Sequence, residues 1–362
     1  MSGSTGHANI ALFIPHNGCP HRCAFCSQHA ISGATRQPTA EDVHAAVGVA
    51  MASPKYRSGE TEIAFFGGSF TAIERGYMLS LLEAAAEYVR RGDVAGIRIS
   101  TRPDAVSPDV LALLKVCGVT AVELGAQSMR DEVLCRNRRG HTSEDVRRAS
   151  RMIRQAGLSL GLQMMTGLDG DDDSGARETA RELAALEPDT LRIYPTVVLE
   201  GTELADRMRR GEFRPQGVEE AAELCADLLA FFESRHIRVI KLGLHASDGV
   251  AGSMAGGAYH PAFRELCEGI LYYRRMRSLL ARDYPEGGRF VITVPPRDVS
   301  KAVGQQKRNL RRLAEGGWQV RIQGGSLSDG ENTSPERGRV CRVEPVSEYG
   351  SAAPSGGDRP CD

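Results

Sequence analysis

The chain of 362 residues is long enough for one large domain or two ordinary ones. Apolar residues make up 41% and charged residues 25%, a balance that excludes a mostly disordered chain. The net charge of -1 excludes recognition of a polyanion through whole-chain charge, so any such site has to be a local patch. The 40 glycines exceed average usage and point to many strand-to-loop turns or to backbone packed close to ligands. No apolar run is long enough for a membrane span, and Met1 to His7 show no basic stretch leading into an apolar core. Neither a membrane partner nor a secretory signal is expected.

Apolar, β-branched runs alternate with helical patterns along the chain. Strands are expected at Ile10–Ile14, Glu62–Phe66, Ile97–Thr101, Thr120–Leu124, Ser159–Met164, Thr190–Tyr194 and Ile237–Leu242. Helices are expected at Ala40–Met51, Glu74–Arg91, Pro108–Val116, Ser143–Gln155, Ser174–Leu186 and Val218–Ser234. In the fourth helix Val146, Ala149, Met152, Ile153 and Ala156 share a face; Thr142 with Asp145 reads as its capping box and Gly157 as its stop. Alternating β and α units imply a parallel sheet, and seven strands suit a partial barrel. The fold class is therefore α/β, a partial (β/α)6-type parallel barrel over residues 1–245. In such barrels the chemistry sits at the C-terminal ends of the strands.

Beyond Leu244 the pattern changes. His245–Pro261 reads as a Gly-, Ala- and Ser-rich loop and Ala262–Arg282 as a helix, so that 246–288 forms a linking region. Arg289–Val294, Val299–Ala314 and Gln319–Gln323 read as a small basic β-α-β unit over 289–323. Between Arg274 and Arg321 there are twelve Lys or Arg against four acids, a local excess of +8. Residues 324–362 read as a disordered tail.

Nine cysteines, six of them single, do not make a disulfide framework. Cys19, Cys23 and Cys26 fall together as C-x3-C-x2-C just after the first strand. Thiolates at close spacing let one loop wrap an iron–sulfur cluster, and three of them leave one iron of a cubane open to a further ligand. The same residues admit a structural zinc site with His16, His21 or His29 as fourth ligand, or thiols with no ligand at all.

The spacing, its place after strand one, and Phe25 resemble the radical S-adenosylmethionine superfamily. The resemblance implies a 4Fe-4S cluster on Cys19, Cys23 and Cys26, with S-adenosylmethionine chelating the open iron. An electron then breaks its C–S bond, and the 5'-deoxyadenosyl radical takes a hydrogen from the substrate. Gly67-Gly68 is similar to the family's glycine pair that holds the methionine amino group. Ser100 and Arg102 end strand three, Glu123 and Gln127 end strand four, and Arg138 follows. By resemblance these residues contact S-adenosylmethionine, with Gln127 at the ribose and Arg138 at the carboxylate.

From residue 119 to about 214 the strings Glu123-Leu-Gly-Ala-Gln-Ser, Arg139-Gly-His-Thr, Met164-Met-Thr-Gly-Leu, Leu191-Arg-Ile-Tyr-Pro-Thr and Glu200-Gly-Thr-Glu-Leu occur in order. Together they resemble the radical core of the Elongator catalytic subunit and its shorter bacterial relatives, over roughly residues 10–245. That subunit spaces its cysteines more widely and carries an acetyltransferase domain for which this chain has no room, so acetyl-CoA use does not carry over. The resemblance implies an enzyme that modifies an RNA base, first of all in tRNA, in the cytoplasm, with a low-potential electron donor. Tyr194 and Lys241, at strand ends facing the cavity, are the candidate catalytic side chains. The basic unit is the candidate tRNA contact. A radical enzyme acting on a porphyrin or other small molecule, and a non-catalytic zinc protein, remain as alternatives.

Overall fold

A computed structural model describes residues 8–15, 17–19, 23–27, 31, 33–34, 36–244, 248–326 and 341–346. His16, His21, His29, His245, Cys361 and most of the expected tail lie outside them. The chain divides into two units, Met1–Arg264 and Glu265–Asp362.

The strands of the first unit are β1 (Ala8–Ile14), β2 (Thr61–Gly67), β3 (Gly96–Thr101), β4 (Val119–Gln127), β5 (Ser159–Thr166), β6 (Thr190–Pro195), β7 (Val197–Leu199), β8 (Arg238–Leu242) and β9 (Met254–Gly257). Its helices are α1 (Ala40–Met51), α2 (Arg75–Arg91), α3 (Pro108–Val116), α4 (Asp131–Arg136), α5 (Ser143–Gln155), α6 (Asp173–Ala185), α7 (Glu203–Arg209), α8 (Val218–Ser234) and α9 (Asp248–Gly252). Strands β1 to β6 and β8 pair in parallel in chain order and curl into a half-barrel whose edge strands are β1 and β8. Strand β4 shows why these runs read as parallel strands: all of its residues but Thr120 are buried, as covering on both faces requires.

The helices start and stop on local chemistry. Glu74 caps α2 by accepting from the amides of Gly76 (2.8 Å) and Tyr77 (2.7 Å), and Gly92 ends the helix in the left-handed region. Thr142 and Asp145 form the expected capping box on α5. Val146, Ala149 and Ile153 of α5 are buried with Ser150, whereas Met152 and Ala156 are only half-buried.

Two stretches differ from the sequence reading. Within the expected loop at 245–261, β9 pairs antiparallel with β7 as a separate two-stranded ladder, and α9 precedes it. In the second unit, after α10 (Phe263–Asp283), β10 (Gly288–Val294) pairs in parallel with β11 (Trp318–Gly324). Residues of the expected tail add β12 (Arg342–Pro345), antiparallel to β10 on its other side. The expected single basic helix is broken into α11 (Val299–Val303) and α12 (Arg308–Glu315), because Gly304, Gln306 and Lys307 all have positive φ. The core of this unit gathers Tyr272, Met276, Leu280, Ile292, Leu313 and Trp318. No helix among the described residues is long and apolar enough to cross a membrane.

Candidate active site

The C-terminal ends of the parallel strands surround a cavity of about 620 Å³. Ten of the twelve residues expected to form the site line it: Cys19, Cys23, Cys26, Gly67, Gly68, Ser100, Arg102, Gln127, Tyr194 and Lys241. Glu123 and Arg138 do not.

The cysteine loop is fixed at its middle. The Ala24 amide donates to the Asn137 carbonyl (3.1 Å), its carbonyl accepts from the Leu204 amide (2.8 Å), and the residue is 1% exposed. Phe25 packs against the cluster of Val133, Met165 and Leu168 and also against that of Val198, Leu204 and Ala205. The three thiols are half-buried, and none of them is in a disulfide. Burial, and after it the neighbouring Cys23, raise the Cys19 thiol pKa above its ordinary value. Among the described residues, no three His, Cys, Asp or Glu side chains already stand as a metal-binding group.

The Gly67-Gly68 turn interlocks with the entrance to this loop. The Gly68 amide donates to the Ile14 carbonyl (2.8 Å), and the Ser69 amide to the Asn17 carbonyl (3.0 Å). A Cβ on Gly68 would stand 1.9 Å from the Asn17 oxygen, and one on Gly67, whose φ is 108°, would stand 2.8 Å from the Ile14 oxygen. The glycines were expected for close approach to a ligand. In the structure, the approach of the cysteine loop's own backbone already demands them.

Four residues that line the cavity each carry a buried polar atom without a partner. Ser100 Oγ, Gln127 Oε1, Arg102 Nη1 and Arg139 Nε are buried with no hydrogen bond among the described residues. Such groups are costly unless a ligand or water meets them. Arg102 is otherwise held by a two-bond pair with Asp104 (2.9 and 2.8 Å).

Arg138 is not at the cavity. It has positive φ, its side chain is 63% exposed, and it pairs with Glu203 at 2.9 Å. The next residue takes the inward place: Arg139 donates to Cys23 Sγ (3.1 Å) and to the Gly125 carbonyl (2.6 Å). Arg139 is the cavity-lining cation that the sequence reading missed.

Glu123 is likewise not free for a ligand. Its carboxylate accepts two bonds from Arg192 (2.8 and 2.9 Å), one from Arg98 (3.3 Å) and one from Gln163 (3.1 Å), and Arg98 also pairs with Glu62 at 2.8 Å. These five side chains cross strands β2 to β6 as one row inside the half-barrel. Inward-facing Arg98 and Arg192 were the signal for that network. Burial raises the Tyr194 phenol pKa, against the pull of Arg192. Burial, followed by Arg192 and Arg264, lowers the Lys241 ammonium pKa. His141 is buried; its Nε2 lies 3.2 Å from the Ala126 carbonyl, outside the cavity lining.

A parallel half-barrel with three thiols on the loop after its first strand, and unpartnered polar groups around one cavity, defines a cofactor-binding enzyme scaffold. The family profile described as Radical SAM superfamily matches residues 13–183, and that described as Radical_SAM C-terminal domain matches 188–272. The chain belongs to the radical S-adenosylmethionine superfamily of enzymes. It is 36% identical over 129 residues to the tRNA uridine(34) acetyltransferase of Methanocaldococcus jannaschii, covering 35% of this chain and 24% of that protein. With the protein of the same name from Dehalococcoides mccartyi it shares 25% identity over 323 residues, 78% of this chain and 68% of the relative. It is 31% identical over 140 residues to human Elongator complex protein 3, covering 37% and 25% of the two chains. The chain thus spans about a quarter of the length of the first and third of these relatives. The fold is similar to that of the Methanocaldococcus infernus Elp3 structure, with a TM-score of 0.60 and 23% identity over 76% of this chain and 63% of that one.

Proposed function

We propose that the protein uses a 4Fe-4S cluster held by Cys19, Cys23 and Cys26, together with S-adenosylmethionine, in the modification of an RNA base, in tRNA before other RNAs. The observation that carries this reading is the meeting of the three thiols, the glycine turn and the unpartnered atoms of Ser100, Arg102, Gln127 and Arg139 around one cavity. The donor set fits the group: three thiols, none engaged in a disulfide, with the Arg139 guanidinium 3.1 Å from the Cys23 sulfur. When bound, the cluster supplies one electron for cleavage of S-adenosylmethionine to a 5'-deoxyadenosyl radical that abstracts hydrogen.

The chain's own residues position and enclose. Arg139, in the inward place expected for Arg138, pairs with the carboxylate of S-adenosylmethionine, and Gln127 Oε1 and Ser100 Oγ meet its hydroxyl and amine donors. Phe13, Phe25, Phe66 and Met165 line the cavity and keep bulk water from it. Tyr194 and Lys241 face the substrate. The basic second unit docks the RNA, with exposed Lys307 and Arg311 available to phosphates; Lys301 is engaged by Glu268 (2.8 Å) and Asp298 (3.0 Å). A reducing compartment, the cytoplasm, and a low-potential donor suit this chemistry. The names of the relatives that act on tRNA uridine support the choice of RNA.

The test is anaerobic reconstitution with iron and sulfide, followed by S-adenosylmethionine and reductant, with 5'-deoxyadenosine measured with and without bulk tRNA. Nucleoside that forms in the native chain, disappears in Cys23→Ala and rises with tRNA is the expected result. Formation indifferent to tRNA overturns the RNA assignment, and no formation from an iron-loaded protein overturns the radical assignment.

A further inference from the structure

Among the described residues, the arginines in and beneath the cavity each have an acid or another acceptor on at least part of the guanidinium, whereas Lys241 has none. Arg98 has Glu62 and Glu123, Arg102 has Asp104, Arg192 has Glu123, and Arg139 has the Gly125 carbonyl and the Cys23 sulfur. Lys241 lines the same cavity, is half-buried, and has no hydrogen bond or ion pair among the described residues. It stands on β8 in register with Arg192, so its nearest charged neighbour across the ladder repels it. Glu123 does not neutralise it, since both of its oxygens are taken by Arg192, Arg98 and Gln163. Val197, Leu199 and Leu244, which line the cavity as well, offer no polar side chain.

An ammonium so placed is tolerable while water solvates it and costly once a ligand displaces that water. Lys241 also lies on the opposite edge strand from the one that leads into the cysteine loop. The anionic group of S-adenosylmethionine already has Arg139 on the cysteine side. We propose that Lys241 forms an oxyanion subsite for a second ligand, and that the substrate admitted to this cavity carries a phosphate or carboxylate group seated on its ammonium. This deepens the proposed function and rests on it only in taking the cavity as the place where substrate binds.

The chain has five lysines, Lys55, Lys115, Lys241, Lys301 and Lys307, which makes site-resolved amine labelling practical. The reconstituted full chain is acylated with a water-soluble amine-reactive ester in the presence of inorganic phosphate, acetate or chloride at matched ionic strength. Labelling at each lysine is then read by peptide mass spectrometry. Phosphate or acetate is expected to slow acylation of Lys241 at least tenfold relative to chloride while exposed Lys55 and Lys307 are unaffected. Stronger protection by phosphate assigns a phosphate-bearing ligand, and stronger protection by acetate a carboxylate-bearing one. Equal labelling of Lys241 in all three salts, or protection shared with Lys55, overturns the subsite. The same measurement on the Cys23→Ala chain gives the same protection if the subsite exists, so its failure is distinct from failure of the radical chemistry.

Discussion

At the scale of single residues, the site depends on backbone clearance as much as on chemical groups. Gly68 has no room for a Cβ against the Asn17 carbonyl, and that carbonyl belongs to the segment leading directly into Cys19. Gly68→Ala is therefore expected to cost at least ~2 kcal/mol, at the upper side of ordinary overpacking. It should also lower the iron retained per chain after reconstitution. Gly48→Ala is the control. Its added methyl meets nothing within 4 Å on α1, so it should stabilise by roughly 0.5–1 kcal/mol through helix propensity alone. Urea unfolding of both variants, with iron assay, checks the pair; equal effects would show that the interlock is not what fixes the loop. That the cysteines and glycines would meet at one cavity was legible in the sequence, because each residue type admits few places beside a strand end. The places of Arg138 and Glu123 were not. The positive φ of Arg138 turns adjacent residues to opposite sides, so counting from Gln127 cannot choose between Arg138 and Arg139. Glu123 has the residue type of a ligand contact, but cross-strand neighbours claim it, and a single sequence does not give that register.

At the scale of elements, legibility followed length and chemistry. The parallel strands were readable because burial on both faces makes them continuous apolar runs, and α5 because its cap is written in Thr142 and Asp145. Strands β7 and β9 escaped because three- and four-residue ladders carry no period, and Met254-Ala-Gly-Gly257 lacks β-branched residues. The basic segment at 299–315 has helical charge spacing, yet Gly304 breaks it. Asn309 holds the two pieces together: 3% exposed, its Nδ2 donates to the carbonyls of Gly269 (2.9 Å), Lys301 (3.3 Å) and Ala302 (3.0 Å). Those at 301 and 302 are orphan carbonyls at the end of α11. Asn309→Ala leaves buried carbonyls unmet and is expected to cost about 1–3 kcal/mol. Asn309→Asp, which keeps the shape but loses the donor, should cost at least as much. Thermal unfolding of the two variants checks this, and a near-neutral Asn309→Asp would show that the amide is not the fastening.

At the scale of the whole molecule, two buried groups with opposite pH preferences shape stability. His141 has its pKa lowered from 6.5 to about 4, by burial and then by Arg139. Between those values the unfolded chain binds a proton that the folded chain refuses, so stability falls as pH drops through this window. Asp171 has its pKa raised from 3.8 to about 6, chiefly by burial. Its two carboxylate oxygens lack hydrogen bonds among the described residues, and Arg130 approaches only to 3.6 Å. There the folded chain holds a proton that the unfolded chain releases, so stability rises as pH drops through 6. Each term has a limiting slope of about 1.4 kcal/mol per pH unit, and over the shared window the signs are opposed. Surface carboxylates such as Glu74, Glu144 and Glu220 have pKa values below their ordinary one, so their contribution falls away only in more acid solution. The native chain is therefore expected to show a nearly flat urea midpoint from about pH 6 down to about pH 4.5, where the two terms cancel. Asp171→Asn removes one of them. It should raise stability at neutral pH, since the buried charge is gone, and should expose the histidine slope as a steady loss of midpoint on acidification. A variant as flat as the native chain would mean that His141 takes up its proton in the folded state as readily as in the unfolded one. Because both groups belong to the first unit, the transition to follow is that of the half-barrel carrying the cavity.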